Sequence, residues 1–165
     1  MGRGRALEVL VTDTLPDEAF WRGRRVFLTG HTGFKGGWLT LWLRSLGAEV
    51  CGYSLPPSTD PSLFEAARIG EACRSIFGDI RDLPALERAF GDFQPDIVLH
   101  LAAQPLVRRS YQDPLETYST NVMGAAHVLD LVRRATTVRG ALIVTTDKCY
   151  ENLEQTAPYR ETDRL

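Results

Sequence analysis

Three glycines, Gly30, Gly33 and Gly36, stand three residues apart in the stretch VFLTGHTGFKGGWLTLWL, where an apolar run gives way to a helix-like one. Bare backbone at such a junction suits a phosphate. The first turn of a helix presents unpaired N–H groups and the positive end of its dipole, and a side chain there would hold an anion off. The chemistry in view is the gripping of a pyrophosphate. A second reading stands beside it: the same glycines permit a tight strand-to-helix turn with no ligand, and GxxGxxG is not the commoner GxGxxG dinucleotide spacing. Thr29, His31, Thr32 and Lys35 lie where they can add contacts to a ligand, although Lys35 also reads as a solvated residue of the first helical turn.

Lys35 and Lys148 are the only lysines in the chain, so any step that needs an amine falls on one of them. Lys148 closes the trio Thr146, Asp147, Lys148, which follows an apolar run; the plain reading of Asp147 and Lys148 is a structural pair in a turn. Arg108 and Arg109 can each meet a phosphate through a two-pronged hydrogen bond, or stay solvated at the surface. Cys51, Cys73 and Cys149 are odd in number and far apart, outside any CxxC or Cys/His spacing, so neither a disulfide framework nor a zinc site is expected. They are expected as buried, reduced thiols. His31, His100 and His127 are spaced too irregularly for a metal, and His100, inside an apolar strand, reads as a core residue with its hydrogen bonds satisfied.

These groups need a frame. At 165 residues the chain suits one globular domain that can bury about 70% of its unfolded surface. Hydrophobic residues make up 44% and charged residues 24%, which excludes disordered and collagen-like classes. Net charge is −2 with arginines scattered among acids, leaving no basic stripe for nucleic acid. No apolar run approaches the roughly 20 residues that cross a bilayer, and the first twenty residues carry acids where a secretory segment would be apolar. A cytoplasmic protein, with no membrane and no nucleic-acid partner, is expected.

Apolar, β-branched runs alternate with amphipathic ones. Strands are predicted over 25–30, 48–54, 74–79, 96–103 and 140–146, with helices over 35–46, 62–69, 82–90 and 113–134. Asp82 is expected to cap the third helix; Asp113, Pro114 and Glu116 read as N-cap, N1 and N3 of the fourth, a capping-box arrangement. Such alternation signals a parallel sheet covered on both faces, a doubly wound α/β fold whose ligands lie beyond the carboxyl ends of the strands. Residues 1–22 read as an extension and 23–165 as the domain.

The loop TGHTGFKGGWL resembles that of the extended short-chain dehydrogenases, and GDIRD (78–82), HLAAQPLVRRSY (100–111), TNVMG (120–124) and VTTDKCY (144–150) follow in that family's order. With GYSLPP and PSLFEA, the set is similar to the nucleotide-sugar 4,6-dehydratases that act on CDP-glucose. The resemblance implies an NAD-binding Rossmann domain. It places the dinucleotide against Gly30, Thr32, Gly33, Phe34, Lys35 and Gly36, the adenine at Asp79 and Ile80, and the remainder near Leu101, Ala102, Ala103, Asn121 and Thr145. Asp79 also reads as a loop cap, the run 101–103 as the plain end of a strand, and Asn121 as solvent-facing.

In the family's dehydratases the sugar is oxidised by NAD at C4, which acidifies the C5 proton; water leaves from C5 and C6, and the stored hydride returns to C6. The resemblance assigns Thr146 to the C4 oxygen, Asp147 to protonation of the departing C6 hydroxyl and Lys148 to the C5 proton. Related dehydratases carry Glu where Lys148 stands, and a lysine serves as base only if burial or a nearby cation lowers its pKa, whereas Asp147 pushes the other way. Gln104, Arg108 and Ser110 are implied substrate contacts for a nucleotide sugar, CDP-glucose. An epimerase or reductase of the same superfamily, or a nucleotide-binding module without turnover, uses the same residues.

Two departures qualify the resemblance. The family's Tyr-x-x-x-Lys pair has no match here, since His31 and Val144 precede the two lysines by four. In relatives it follows TTDKCY by a few tens of residues, ahead of a substrate domain, so this chain is expected to be an amino-terminal portion and inactive alone. The second predicted strand ends in Gly52, Tyr53 and Ser54, without the acid that often meets an NAD ribose. Relatives commonly pair through helices that include the long one after Asp113, and the fifth strand is expected as an edge open to non-native pairing.

Overall fold

A computed structural model describes residues 16–146, 149–154 and 157–165. Five strands, β1 (Arg25–Thr29), β2 (Glu49–Ser54), β3 (Arg74–Phe77), β4 (Ile97–His100) and β5 (Gly140–Ile143), form one parallel sheet in the order β3-β2-β1-β4-β5. This is the doubly wound Rossmann arrangement, with the chain reversing direction across the sheet at β1 and β4. Thr29 pairs with Tyr53 on one side and His100 on the other, and His100 with Ile143. The carboxyl ends of all strands therefore share one rim, and β5 lies two strand spacings, about 10 Å, from β1.

Strand alternation divides the core. Phe27, Tyr53 and Val98 face one side, against Leu86, Ala89 and Phe90 of α5 (Leu83–Phe93) and Val128 and Leu131 of α8 (Gly124–Arg134). Val26, Leu28, Val50 and Leu99 face the other, against Leu43 of α2 (Phe34–Ser45), with Trp21 of α1 (Glu18–Trp21) beside them. No helix among the described residues is long and apolar enough to cross a membrane.

Element ends differ from expectation in instructive ways. The helix predicted over 62–69 is two short ones, α3 (Leu63–Ala66) and α4 (Ile69–Ala72), because Arg68 takes a left-handed conformation at φ 50 and breaks the run. β4 ends at His100: the Leu101 amide makes a last ladder bond to the Thr29 carbonyl at 3.1 Å, and the Ala102 amide turns to the Thr29 hydroxyl. A helix absent from the prediction, α6 (Val107–Gln112), precedes α7 (Pro114–Tyr118). Asp82 caps α5 by accepting from the Ala85 amide. Asp113 caps α7 through the Glu116 amide, but the capping box closes only by half: the Asp113 N–H is already donated to Arg109, and the Glu116 carboxylate is held by the Arg109 guanidinium.

Candidate functional site

The three glycines of the loop owe their presence to different causes. Gly30 has φ +84, and a Cβ on it would lie 2.8 Å from the Ala102 nitrogen, so the crossing of β1 past the end of β4 forbids any side chain. Gly36 sits against the loop's own backbone; a Cβ there would run into the Gly30 carbonyl. Gly33 is another matter. It is exposed, has φ −78, and an added Cβ would meet only the Gly30 oxygen at 3.4 Å. Gly33 is also the N-cap of α2 and offers no side-chain cap, which leaves the first-turn amides to water or an anion. Packing thus explains two glycines, and the third leaves open the space a phosphate would fill.

The loop is braced from beneath. His31 is buried with its ring directly over Gly52, where any Cβ would collide with it, and its Nε2 lies 2.7 Å from the Ser75 hydroxyl. Phe64 meets the ring edge-on at 5.6 Å. Burial lowers the His31 pKa to about 4, so the imidazole is neutral near pH 7. His31 therefore ties the loop to β2 and β3 and does not face a ligand. The Thr32 hydroxyl donates to the Leu55 carbonyl at 2.9 Å and meets Ser54 at 2.9 Å, placing two neutral hydroxyls where a ribose-binding acid often stands. Phe34 and Lys35 are exposed on the first turn.

At the end of β3, Tyr53 reaches the Asp79 carbonyl at 3.3 Å. The Asp79 carboxylate is held by both Nε and Nη2 of Arg81 and accepts the Arg81 amide at 2.8 Å. The Arg81 guanidinium holds its pKa below the usual carboxylate range. Ile80 is buried, with its carbonyl taken by His127 Nδ1 at 2.9 Å. Asp79 thus combines the cap geometry with a fixed, ionised carboxylate at the sheet's rim.

After β4, Leu101 and Ala102 are half-buried and Ala103 exposed. Asn121 lies in a π-helical turn, Ser119–Met123, where the Gly124 amide reaches back five residues to Ser119. Its side chain accepts from the Gln104 amide at 2.7 Å and donates to the Gln104 carbonyl at 3.0 Å. Asn121 therefore locks the backbone behind Ala103 from an exposed position, its side-chain amide turned to Gln104. The Gln104 side chain is used on Leu106 in the same loop and on Thr117 of α7, and Ser110 donates to the Val107 carbonyl. Arg109 is occupied by Glu116, whereas Arg108 is exposed and makes no ion pair with another described residue. Both line an open cavity of about 710 Å³ with Leu106, Val107, Gln112 and Asp113.

At the end of β5, Thr145 and Thr146 are exposed, and the Thr146 carbonyl accepts the Cys149 thiol at 3.3 Å. Asp147 and Lys148 lie outside the described residues. Tyr150 stacks on Tyr159, centroids 5.1 Å apart. Of the cysteines only Cys51 is buried; Cys73 is half-buried and Cys149 exposed, which corrects the expectation of three buried thiols. The sheet brings Gly30, Leu101 and Thr145 to one rim in consecutive strands, and sets Asp79 on the same rim beyond β2. Sequence reasoning missed the Thr29 and His100 pair, whose side chains meet at 2.7 Å. The signal was two polar residues at core-facing positions of neighbouring strands, legible only once their register is known.

Residues 27–165 match the family model described as GDP-mannose 4,6 dehydratase. The chain belongs to that family. Among curated relatives of this dehydratase family, it is 52% identical over 149 residues to a CDP-glucose 4,6-dehydratase of Salmonella typhimurium, a match covering 90% of the chain and 42% of the relative. It is 32% identical to UDP-glucuronate 4-epimerase 1 of Arabidopsis thaliana, over 86% of the chain and 34% of the relative. The chain thus spans less than half the length of these relatives. A UDP-glucose 4-epimerase from Thermus thermophilus, solved in complex with NAD, superposes with TM-score 0.73 at 26% identity, covering 85% of this chain and 43% of that one. One from Stenotrophomonas maltophila, solved with bound NAD and formylated UDP-arabinopyranose, gives TM-score 0.72 at 28% identity over 86% and 42%.

Proposed function

We propose that this chain is the cofactor-binding portion, over residues 23–165, of a nucleotide-sugar 4,6-dehydratase that takes CDP-glucose and uses NAD. The observation that carries the reading is Gly33: an exposed N-cap glycine that no packing requires, between two glycines that packing does require. Likeness to the Salmonella CDP-glucose dehydratase and to NAD-bound epimerases supports the choice of ligand. The donor set suits the group. The first-turn amides of α2 would hold the pyrophosphate, Thr32 and Ser54 would meet the adenosine ribose, and Asp79 would accept from the adenine amino group.

The chemistry NAD supplies when bound is a reversible store for one hydride. The chain's own residues would handle protons and position. The Thr146 hydroxyl would hydrogen-bond the sugar's C4 oxygen, the Asp147 carboxyl would give its proton to the C6 hydroxyl as it leaves as water, and the Lys148 amine would take the proton from C5. Arg108, which pairs with no acid among the described residues, would meet a diphosphate of the substrate, while Gln104, bonded to Leu106 and Thr117, and Ser110, bonded within α6, would shape that wall.

The test has two arms. Purified residues 1–165 should bind NAD saturably yet form no 4-keto-6-deoxy sugar from CDP-glucose. In a longer polypeptide that supplies a Tyr-x-x-x-Lys pair, Asp147→Asn should block dehydration while C4 oxidation survives. Absence of saturable NAD binding, or dehydration undiminished by Asp147→Asn, sinks the reading.

A further inference from the structure

Beneath the glycine loop lies a polar pair that the proposed chemistry does not use. Thr29 and His100, opposite each other in β1 and β4, are 0% and 3% exposed. The Thr29 Oγ1 lies 2.7 Å from His100 Nδ1; it also accepts the amide of Ala102 at 3.1 Å and, at 3.2 Å, that of Leu101, which is shared with the Thr29 carbonyl at 3.1 Å. A hydroxyl has two lone pairs and one proton. With amides on its acceptor side, the hydroxyl is best satisfied by giving its proton to Nδ1, which assigns His100 the neutral tautomer with its own proton on Nε2. Protonated at Nδ1, the ring would compete with the amides for the same oxygen.

The consequence lies one residue away. The two amides that Thr29 draws inward belong to the segment that closes over Gly30, within 2.8 Å of where its Cβ would be. We infer that His100 is a positioning residue for the dinucleotide site: by fixing the direction of the Thr29 hydroxyl, it holds the Leu101–Ala102 backbone against Gly30 and sets the floor of the glycine cradle before a ligand arrives. The inference rests on the reading that a dinucleotide occupies that cradle.

NAD is titrated calorimetrically into residues 1–165 carrying His100→Leu, His100→Asn, Thr29→Val or, as a control elsewhere in the core, Leu86→Ala. His100→Leu and Thr29→Val should each weaken binding about tenfold, the loss of one well-placed hydrogen bond. His100→Asn, whose side-chain oxygen can accept where Nδ1 does, should stay within about threefold of the unaltered chain. Leu86→Ala should lower stability as a cavity does and leave affinity unchanged, which separates positioning from general weakening. Unaltered affinity in His100→Leu, or an equal loss in Leu86→Ala, overturns the inference. Should the variants fail to fold, ¹⁵N spectra of the unaltered chain decide: His100 must show protonated Nε2 and an accepting Nδ1, and the opposite tautomer overturns the inference. No saturable NAD binding by the unaltered chain would sink the dinucleotide reading itself; normal binding with an unaffected His100→Leu would sink this inference alone.

Discussion

At the scale of single residues, the loop separates glycines that look alike in sequence. Gly36→Ala forces a Cβ into the Gly30 carbonyl, a backbone atom that cannot swing aside. Overpacking of that kind costs about 1–3 kcal/mol, and the urea midpoint should fall accordingly. Gly33→Ala keeps an allowed φ and meets no closer atom than 3.4 Å, so the midpoint should hardly move. Its new methyl group instead occupies the mouth of α2, and NAD affinity should drop about tenfold or more in a titration. If Gly33→Ala proves as unstable as Gly36→Ala, packing accounts for all three positions and the cradle loses its meaning. The spacing in sequence could locate the loop but not apportion its glycines, because the atoms that crowd Gly30 come from Ala102, seventy-two residues on. The bracing role of His31 is hidden from the sequence for the same reason: its partners Gly52, Phe64 and Ser75 are brought to it by β2, α3 and β3.

At the scale of elements, strand and helix types followed from periodicity, while the ends followed from contacts that periodicity does not carry. The run DIVLHLAA looks like one strand, yet after a last ladder bond from Leu101 the Thr29 hydroxyl takes the Ala102 amide and the strand ends at His100. VRRSYQ carries too few apolar residues to announce a helix, and α6 is held instead by its turn into α7 through Arg109 and Glu116. Asn121 disfavours regular helix by propensity, and the structure puts it in the π turn, where the widened backbone lets its amide face Gln104. Asn121→Ala removes both of those bonds and should cost about 1–2 kcal/mol in urea unfolding, with faster hydrogen exchange at the Gln104 amide. Asn121→Asp keeps the acceptor and loses the donor, so it should fall between. Equal protection of Gln104 in all three proteins would show that the π turn holds without this side chain.

At the scale of the whole molecule, acid should weaken the fold through its buried imidazoles. His31 touches Ser75, Phe64 and Gly52, none of them charged, and His100 touches Thr29; burial lowers both pKa values, that of His31 from 6.5 to about 4. The unfolded chain thus binds protons first, and stability contributed by neutral burial is whole above pH 6.5 and declines as pH falls toward about 4. At 1.36 kcal/mol per unit, His31 alone can account for about 3 kcal/mol across that window. Asp79 has the same sign but a lower window, since Arg81 holds it below the ordinary carboxylate value of 3.8 and its share is lost only as pH falls beneath that. Urea midpoints at pH 7.5, 6.0 and 4.5 lie above the Asp79 window and so read the imidazoles alone of the two. The unaltered chain should lose stability steadily between the first and last, and His31→Gln, which can still reach Ser75 but cannot take a proton, should flatten most of that slope while starting from a lower midpoint at pH 7.5. An undiminished slope in His31→Gln would mean that the proton-linked loss arises elsewhere and that the ring beneath the glycine loop is not held neutral by its burial.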